Sequence, residues 1–350
     1  MNEFDLIKQY FAPLSSDAGA LALQDDAAIL NIPQGYEFVI TKDAIVSGTH
    51  FIGDEPADLI ARKLLRVNLS DLAAMGAIPK YYFLALILPK NTESAWIEKF
   101  AQGLAEDQKQ YNICLMGGDT TAGNSALAMS LTAIGIVEHG KSLKRSGAKI
   151  GDDIYVSGSI GDAYLGLQVA KSAAVIPTQV GISCQVPGDD KNYLLSRYRL
   201  PIPRIELGRE LVGIANSCMD ISDGLIQDLG HICKSSRVGA ELHAEQIPLS
   251  EAVRNINNLP HPNPLPVGEG SYGKAVTGEG IFIEKLIAGG DDYELLFTAP
   301  PEQSAYLQKL SARLDLPITR IGTITTGDKV AIFDKNNREI ILNKQGYQHF

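Results

Sequence analysis

Runs with strand character and stretches with helical spacing alternate along this chain in two successive blocks, which two α/β domains satisfy and an all-helical or all-β fold does not. The first block opens with a short amphipathic stretch at 4–12 and a β-rich run at 36–41. Leu59, Ile60, Leu64, Leu65, Val67, Leu69 and Leu72 then mark a helix over 56–75, stopped by Gly76 and Pro79. A strand at 81–88 (YYFLALIL), a helix at 93–110, a short strand at 113–116 and a β-run at 126–137 complete the block. The second begins near Gly147, with strands expected at 154–157, 239–243 and 293–298. Its helices are expected at 161–171, 203–215, 225–235, 249–257 and 301–313. The expected domains are 1–145 and 146–350. Leu259 to Gly280 fits neither pattern: four prolines in eight residues, then many glycines, read as a disordered surface insertion.

At 45% apolar residues, the 350-residue chain has material for two ordinary cores. Its longest apolar run, Tyr81 to Leu88, is far short of the ~20 residues of a membrane helix. The N-terminus MNEFDLIKQYF has no basic region followed by an apolar core, so a cytoplasmic protein is expected. A net charge of −10 argues against nucleic acid, whose backbone asks for clustered positive charge. If the ligand is an anionic metabolite, something besides the net charge must neutralise it, and a divalent metal is the natural candidate. Cys114, Cys184, Cys218 and Cys233 form no CxxC pair and lie in or near apolar segments, so buried reduced thiols are expected.

Six acidic clusters stand at strand ends and strand-to-helix junctions: Asp25-Asp26, Asp43, Asp71 with Asn68, Asp119, Asp220 with Asp223, and Asp291-Asp292. Taken singly, each has a structural explanation, since Asp and Ser cap helices and Asp beside Gly makes turns. Taken together they suggest convergence, which would need cations between like charges that repel by roughly 4 kcal/mol at about 4 Å. Hard oxygen donors suit magnesium with substrate phosphates. Gly117-Gly118 and Gly289-Gly290 would let backbone amides approach a ligand, and Arg145 is a candidate phosphate clamp. Neither a P-loop nor a dinucleotide fingerprint is present, and no GxSxG or HExxH points to nucleophilic or zinc chemistry. His50, seven residues after Asp43, is equally well read as a structural residue or a substrate contact.

In order, these motifs are DDAA from Asp25, TKDA from Thr41 with GTHF from Gly48, NLSDLAAMG from Asn68, GGDT from Gly117, MDISDG from Met219 and GGDDYEL from Gly289. With the terminal GYQHF, they resemble the thiamine-monophosphate kinase family over nearly the whole chain outside 259–280. The resemblance implies the two-domain fold of aminoimidazole ribonucleotide synthetase, with an N-terminal domain that pairs in a homodimer and ATP and substrate in the cleft between domains. It implies magnesium-assisted in-line transfer of the γ-phosphoryl group of ATP to thiamine monophosphate. Carried over by position, Asp26, Thr41, Lys42 (through its carbonyl), Asp43, Asp71, Asp119, Asp220 and Asp223 would hold several magnesium ions. Gly118, Asp119, Arg145 and Ser222 would meet ATP, and His50, Asp291 and Tyr347 the thiamine phosphate. Asp43, Asp71, Asp119 and Asp223 would carry catalysis. The chain departs from the family pattern at Gln24, Lys42, Ala101 and Asp291. The rivals are a relative such as selenophosphate synthetase, disfavoured because no Cys precedes Cys114, and a non-catalytic nucleotide sensor, disfavoured by the retained carboxylates.

Overall fold

The computed structural model describes residues 3–124, 126–173, 187–257, 278–342 and 346–347. In chain order the elements are α1 (Glu3–Leu6), β1 (Tyr36–Val46), α2 (Ala57–Ala74), β2 (Ile78–Pro89), α3 (Ser94–Tyr111), β3 (Cys114–Gly123) and β4 (Ala128–Glu138). They continue with β5 (Asp153–Ser157), α4 (Asp162–Ala173), α5 (Gly188–Arg199), α6 (Ile205–Glu210), β6 (Ser217–Asp220) and α7 (Leu225–Ser236). The last are β7 (Gly239–His243), α8 (Glu251–Asn257), α9 (Gly278–Ile287), β8 (Leu295–Ala299), α10 (Ser304–Leu314), β9 (Ile318–Thr325) and β10 (Val330–Phe333). Two compact units result: residues 1–144 with 199–214, and residues 145–198 with 215–350.

In the first unit a four-stranded sheet runs β1-β4-β2-β3. Strand alternation sends Tyr82, Leu84, Leu86 and Leu88 of β2 to one face, where they are buried with Leu131 of β4 and with Leu64, Leu65 and Leu72 of α2. Phe100 and Leu104 of α3 close the same core. The opposite face carries Ile40 and Ile87, which remain exposed. Burying one face of the sheet against helices that present apolar stripes is what the alternating pattern requires. The segment 199–214 belongs to this unit because Arg66 of α2 donates to the carbonyl of Pro201 (3.0 Å) and Gly208 lies against Ala73. A side chain at 208 would bring its Cβ to 2.0 Å from the Ala73 carbonyl oxygen.

The second unit has a six-stranded mixed sheet, β10-β7-β9-β5-β8-β6. Its core packs Leu225, Ile226, Leu229 and Ile232 of α7 against Ile154, Val156 and Leu296, and a smaller cluster joins Leu165 and Val169 of α4 to Leu194 of α5 and Val253 of α8.

Several elements differ from the sequence expectation. The strand expected at 113–116 continues to Gly123, because β3 pairs with β2 through the whole Gly-Gly-Asp motif. The helix expected over 203–215 is helical only as α6, and α5, with little apolar periodicity, was not expected at all. The strand expected from residue 293, β8, starts at Leu295 because Asp291 and Tyr293 adopt left-handed φ of 71° and 51°. Of the cysteines, Cys218 and Cys233 are buried as expected, whereas Cys114 is half-buried with its Sγ 3.7 Å from the Leu14 carbonyl oxygen. Cys184 lies outside the described residues. So do residues 259–277 of the expected insertion, while 278–280 open α9.

Candidate functional site

In the first unit, β1 faces α2 with Thr41, Asp43 and Ile45, and turns Ile40, Lys42 and Ala44 the other way. Asp71, in the C-terminal half of α2, accepts the Thr41 hydroxyl. Asn68, one turn earlier and fully buried, ties helix to strand. Its Oδ1 accepts the Asp43 amide (3.1 Å) and its Nδ2 donates to the Leu64 carbonyl (2.9 Å). This contact places the Asp43 and Asp71 carboxyls side by side. Burial, and after it the charge of Asp71, push the Asp43 carboxyl up to about 6. Two carboxylates and a hydroxyl, all hard oxygen donors and electrostatically unfavourable together, fit one magnesium ion that keeps several waters. Lys42 does not share this face: its ammonium reaches Thr132 at 3.4 Å, so only its carbonyl is a candidate ligand. His50 caps the turn after β1, its Nδ1 accepting the Val46 amide (3.1 Å) and its carbonyl accepting Lys63 (3.2 Å).

Asp119 lies elsewhere on the same sheet. Asp43 pairs with Leu131, Leu131 with Leu84, and Leu84 with Gly118. Three strand spacings of ~4.8 Å put the two edges roughly 14 Å apart. Asp119 itself pairs with Ala85, on the face opposite the one Asp43 occupies. It joins Asp25, Asp26 and Gly118 around a cavity of about 480 Å³ whose apolar wall includes Phe11, Leu23, Phe83 and Met116. The chain enters this cavity through Leu21, Ala22 and Leu23, all at left-handed φ of 51°, 55° and 56°.

The glycine pairs have an internal cause. A Cβ at Gly118 would sit 2.0 Å from the Leu84 carbonyl oxygen, and one at Gly290 would sit 2.3 Å from that of Ser222. Each glycine is thus demanded by close packing of backbone on backbone, and Gly117-Gly118 is strand rather than phosphate loop.

In the second unit, one hydrogen-bonded network holds four of the expected residues. Asp220 ends β6, buried opposite Leu295. The loop that follows, Ser222-Asp223-Gly224, is folded around Asp228 of α7, whose Oδ2 accepts all three amides at 3.0, 3.1 and 3.2 Å. Burial, then the neighbouring Asp223 charge, raise Asp228 to about 7 against the opposing effect of those amides. The amide of Asp291 donates to the Ser222 carbonyl (2.9 Å), and that of Tyr347 to the Asp223 carbonyl (3.0 Å). Gln227 closes the ring, its Nε2 reaching both Asp223 Oδ2 (3.0 Å) and the Tyr347 carbonyl (3.1 Å). Asp228 and Gln227 escaped the sequence expectation. The available signal was an acid in the first turn of the helix after Ser-Asp-Gly, a position that satisfies free amides. Arg145 does not join this network. Its carbonyl accepts Ser236 at the far end of α7, about 18 Å of helix away from Ser222.

Among the described residues, no group of three or more His, Cys, Asp or Glu side chains is gathered as a ready-made metal cage. Within the first unit, Asp43 and Asp71 form a two-carboxylate pair.

Residues 24–137 match the N-terminal domain of the AIR synthase related proteins, and residues 149–335 match their C-terminal domain. The chain is 40% identical to the thiamine-monophosphate kinase of Haemophilus influenzae, covering 100% of this chain and 98% of that protein. Against the Escherichia coli K12 enzyme of the same name the identity is 39%, over 99% of this chain and 98% of the relative. The crystal structure of thiamine-monophosphate kinase from Stenotrophomonas maltophilia superposes with a TM-score of 0.78 at 39% identity, over 95% of this chain and 96% of that one. That of AaThiL complexed with AMPPCP and TMP does so at 0.73 and 27% identity, over 99% and 97%. Hydrogenase maturation protein HypE, at 17% identity and a TM-score of 0.71 over 98% of this chain and 95% of that one, shares the fold.

Proposed function

The chain belongs to the thiamine-monophosphate kinase family, built from the two domains of AIR synthase related proteins, and from that premise we propose how its residues divide the work. It transfers the γ-phosphoryl group of ATP to thiamine monophosphate, giving ADP and thiamine diphosphate. The observation that carries this is identity of 40% along the whole length of a kinase of that name, with every carboxylate motif present.

Phosphoryl transfer to a phosphate monoester asks little of acid–base chemistry: the acceptor is already anionic, and the need is alignment and charge neutralisation. Magnesium, when bound, would supply charge neutralisation on the ATP phosphates. Asp43, Asp71 and the Thr41 hydroxyl form one candidate ligand set and Asp220 with Asp223 another, while Asp26 and Asp119 stand at the cavity as further ligands. Gly118 and Asp119 border a cavity with an apolar wall and a carboxylate rim, which suits a nucleoside beside metal-bound phosphates. Ser222 offers a hydroxyl from a loop whose amides are already taken by Asp228, so its contact to ATP is through the side chain. Arg145 contacts ATP, by its place in the family pattern. His50 stands at the turn after β1, and Asp291 and Tyr347 meet through the Ser222-Asp223 loop, as contacts to the thiamine phosphate. Asp291 is acidic, so its natural counterpart is the positively charged thiazolium rather than the phosphate.

The dimer reading rests on the open face of the four-stranded sheet, where Ile40 is 62% and Ile87 41% exposed. No described helix is long and apolar enough to cross a membrane, and a cytoplasmic enzyme is consistent with its use of ATP.

The test is formation of thiamine diphosphate from ATP and thiamine monophosphate, followed by chromatography with magnesium and then with excess chelator. Product that depends on magnesium supports the assignment. A folded protein that binds ATP yet makes no product refutes it.

A further inference from the structure

We propose that Asp292 is a positioning residue for the thiamine substrate: its buried carboxyl anchors the 289–294 turn to the start of α4 and so fixes where Asp291 is presented. The inference rests on the reading of Asp291 as a substrate contact.

Asp292 is 1% exposed and has no path to a ligand. Its Oδ2 accepts the Gly161 amide at 2.7 Å and its Oδ1 the Ala163 amide at 3.2 Å, both at the N-terminus of the twelve-residue α4. Its carbonyl accepts Arg197 at 3.4 Å, and the same nitrogen of Arg197 donates to Glu294 at 2.7 Å. Glu294 is held from its other side by the Ser157 hydroxyl (2.6 Å). The charged groups facing Asp292 are therefore Arg197 and Asp162, the latter bound in turn by Ser159, Tyr193 and Ser250.

The residues on either side of Asp292 show why an anchor is needed. Asp291 and Tyr293 both hold left-handed φ, 71° and 51°, which non-glycine residues adopt at a cost. Such a backbone persists only where its surroundings over-determine it. Here the amides of Asp291 and Tyr293 are zipped to the carbonyls of Ser222 and Ile221 at 2.9 and 2.8 Å on one side, and the Asp292 carboxyl is clamped to α4 on the other. Without the clamp the turn is free to relax toward ordinary φ. Asp291 would then move relative to the Ser222-Asp223 loop while Asp223 itself stays fixed by Asp228. Loss of Asp292 therefore acts on the substrate side of the reaction and leaves the nucleotide side in place.

The experiment compares Asp292→Ala, Asp292→Asn and Asp291→Ala in full-length protein, measuring KM for both substrates, kcat and the thermal midpoint. Asp292→Ala is expected to raise KM for thiamine monophosphate about tenfold, a loss of one properly placed polar contact, with KM for ATP within about twofold. Asp292→Asn keeps an acceptor for Gly161 and is expected to recover much of that loss, which also covers the case that the alanine variant does not fold. A folded Asp292→Ala with unchanged KM for thiamine monophosphate overturns the inference, as does a parallel rise in both KM values. If Asp291→Ala itself leaves that KM unchanged, the substrate reading of Asp291 fails, and the positioning role with it. A rise for Asp291→Ala with none for either Asp292 variant rejects the positioning role alone.

Discussion

Ala22 is exposed, touches no ligand candidate and yet sits at φ 55° between two residues equally left-handed. An L-residue pays about 1–2 kcal/mol for that conformation, and glycine avoids it at the expense of a more flexible unfolded chain. Ala22→Gly is therefore expected to stabilise the protein by about 0.5–1 kcal/mol, read as a higher urea midpoint at unchanged slope. A lower midpoint would argue against the left-handed segment. The thiols give a second residue-scale prediction. Burial pushes Cys218 far up and Cys233 up to about 11, against an ordinary 9.0. Alkylation at pH 8 should spare both in the native protein, and mass spectrometry should find both modified once it is unfolded. Because the folded thiol of Cys233 holds its proton longer than the unfolded one, its contribution to stability is complete below pH 9 and lost as pH rises through about 11. Modification of Cys218 or Cys233 at native pH 8 would contradict the packing of α7 and β6.

Between elements, the helix pair of the first unit is held by one buried carboxylate. Asp107 of α3 accepts Arg62 Nε (2.9 Å) and Arg66 Nε and Nη2 (2.6 and 2.9 Å), and Arg66 passes the connection on to Pro201. The Arg66 side chain is 4% exposed, so Asp107→Ala strands a guanidinium away from water. The expected loss is about 3–5 kcal/mol, measured by denaturant unfolding, with a smaller loss for Asp107→Asn. A cost under about 1 kcal/mol would show the cluster to be solvated. At this scale the sequence was legible where spacing is strong. The stripe Leu64-Leu65-Leu72 marked α2, and YYFLALIL marked β2. It misled where backbone contacts decide: nothing local reveals that Gly118 is needed against Leu84, so a strand looked like a loop. Asp43, Asp71 and Thr41, which the structure brings together, were candidates from the sequence because motif order carries them. Asp228, Gln227 and Arg197 were not, since their partners lie on backbone amides or on elements far along the chain.

Across the whole molecule, the row Asp43-Leu131-Leu84-Gly118 sets a limit on what one copy can assemble. Ligands of one magnesium ion lie about 2.1 Å from it, whereas the carboxylates of Asp43 and Asp119 belong to opposite edges and opposite faces of one sheet. If two copies pair so that one site draws on both, Asp119 of one protomer completes the Asp43–Asp71 pair of the other. Asp71→Asn and Asp119→Asn are each expected to be inactive alone. When the two variants are co-expressed, a mixed dimer contains one site with both changes and one with neither. Half the dimers then carry one working site of two, and activity should return to about a quarter of the unaltered level. Reactivation measured against a dilution series of each variant alone would establish a shared site. No reactivation, with mixed dimers demonstrated by differential tagging, would mean that each chain builds its site alone.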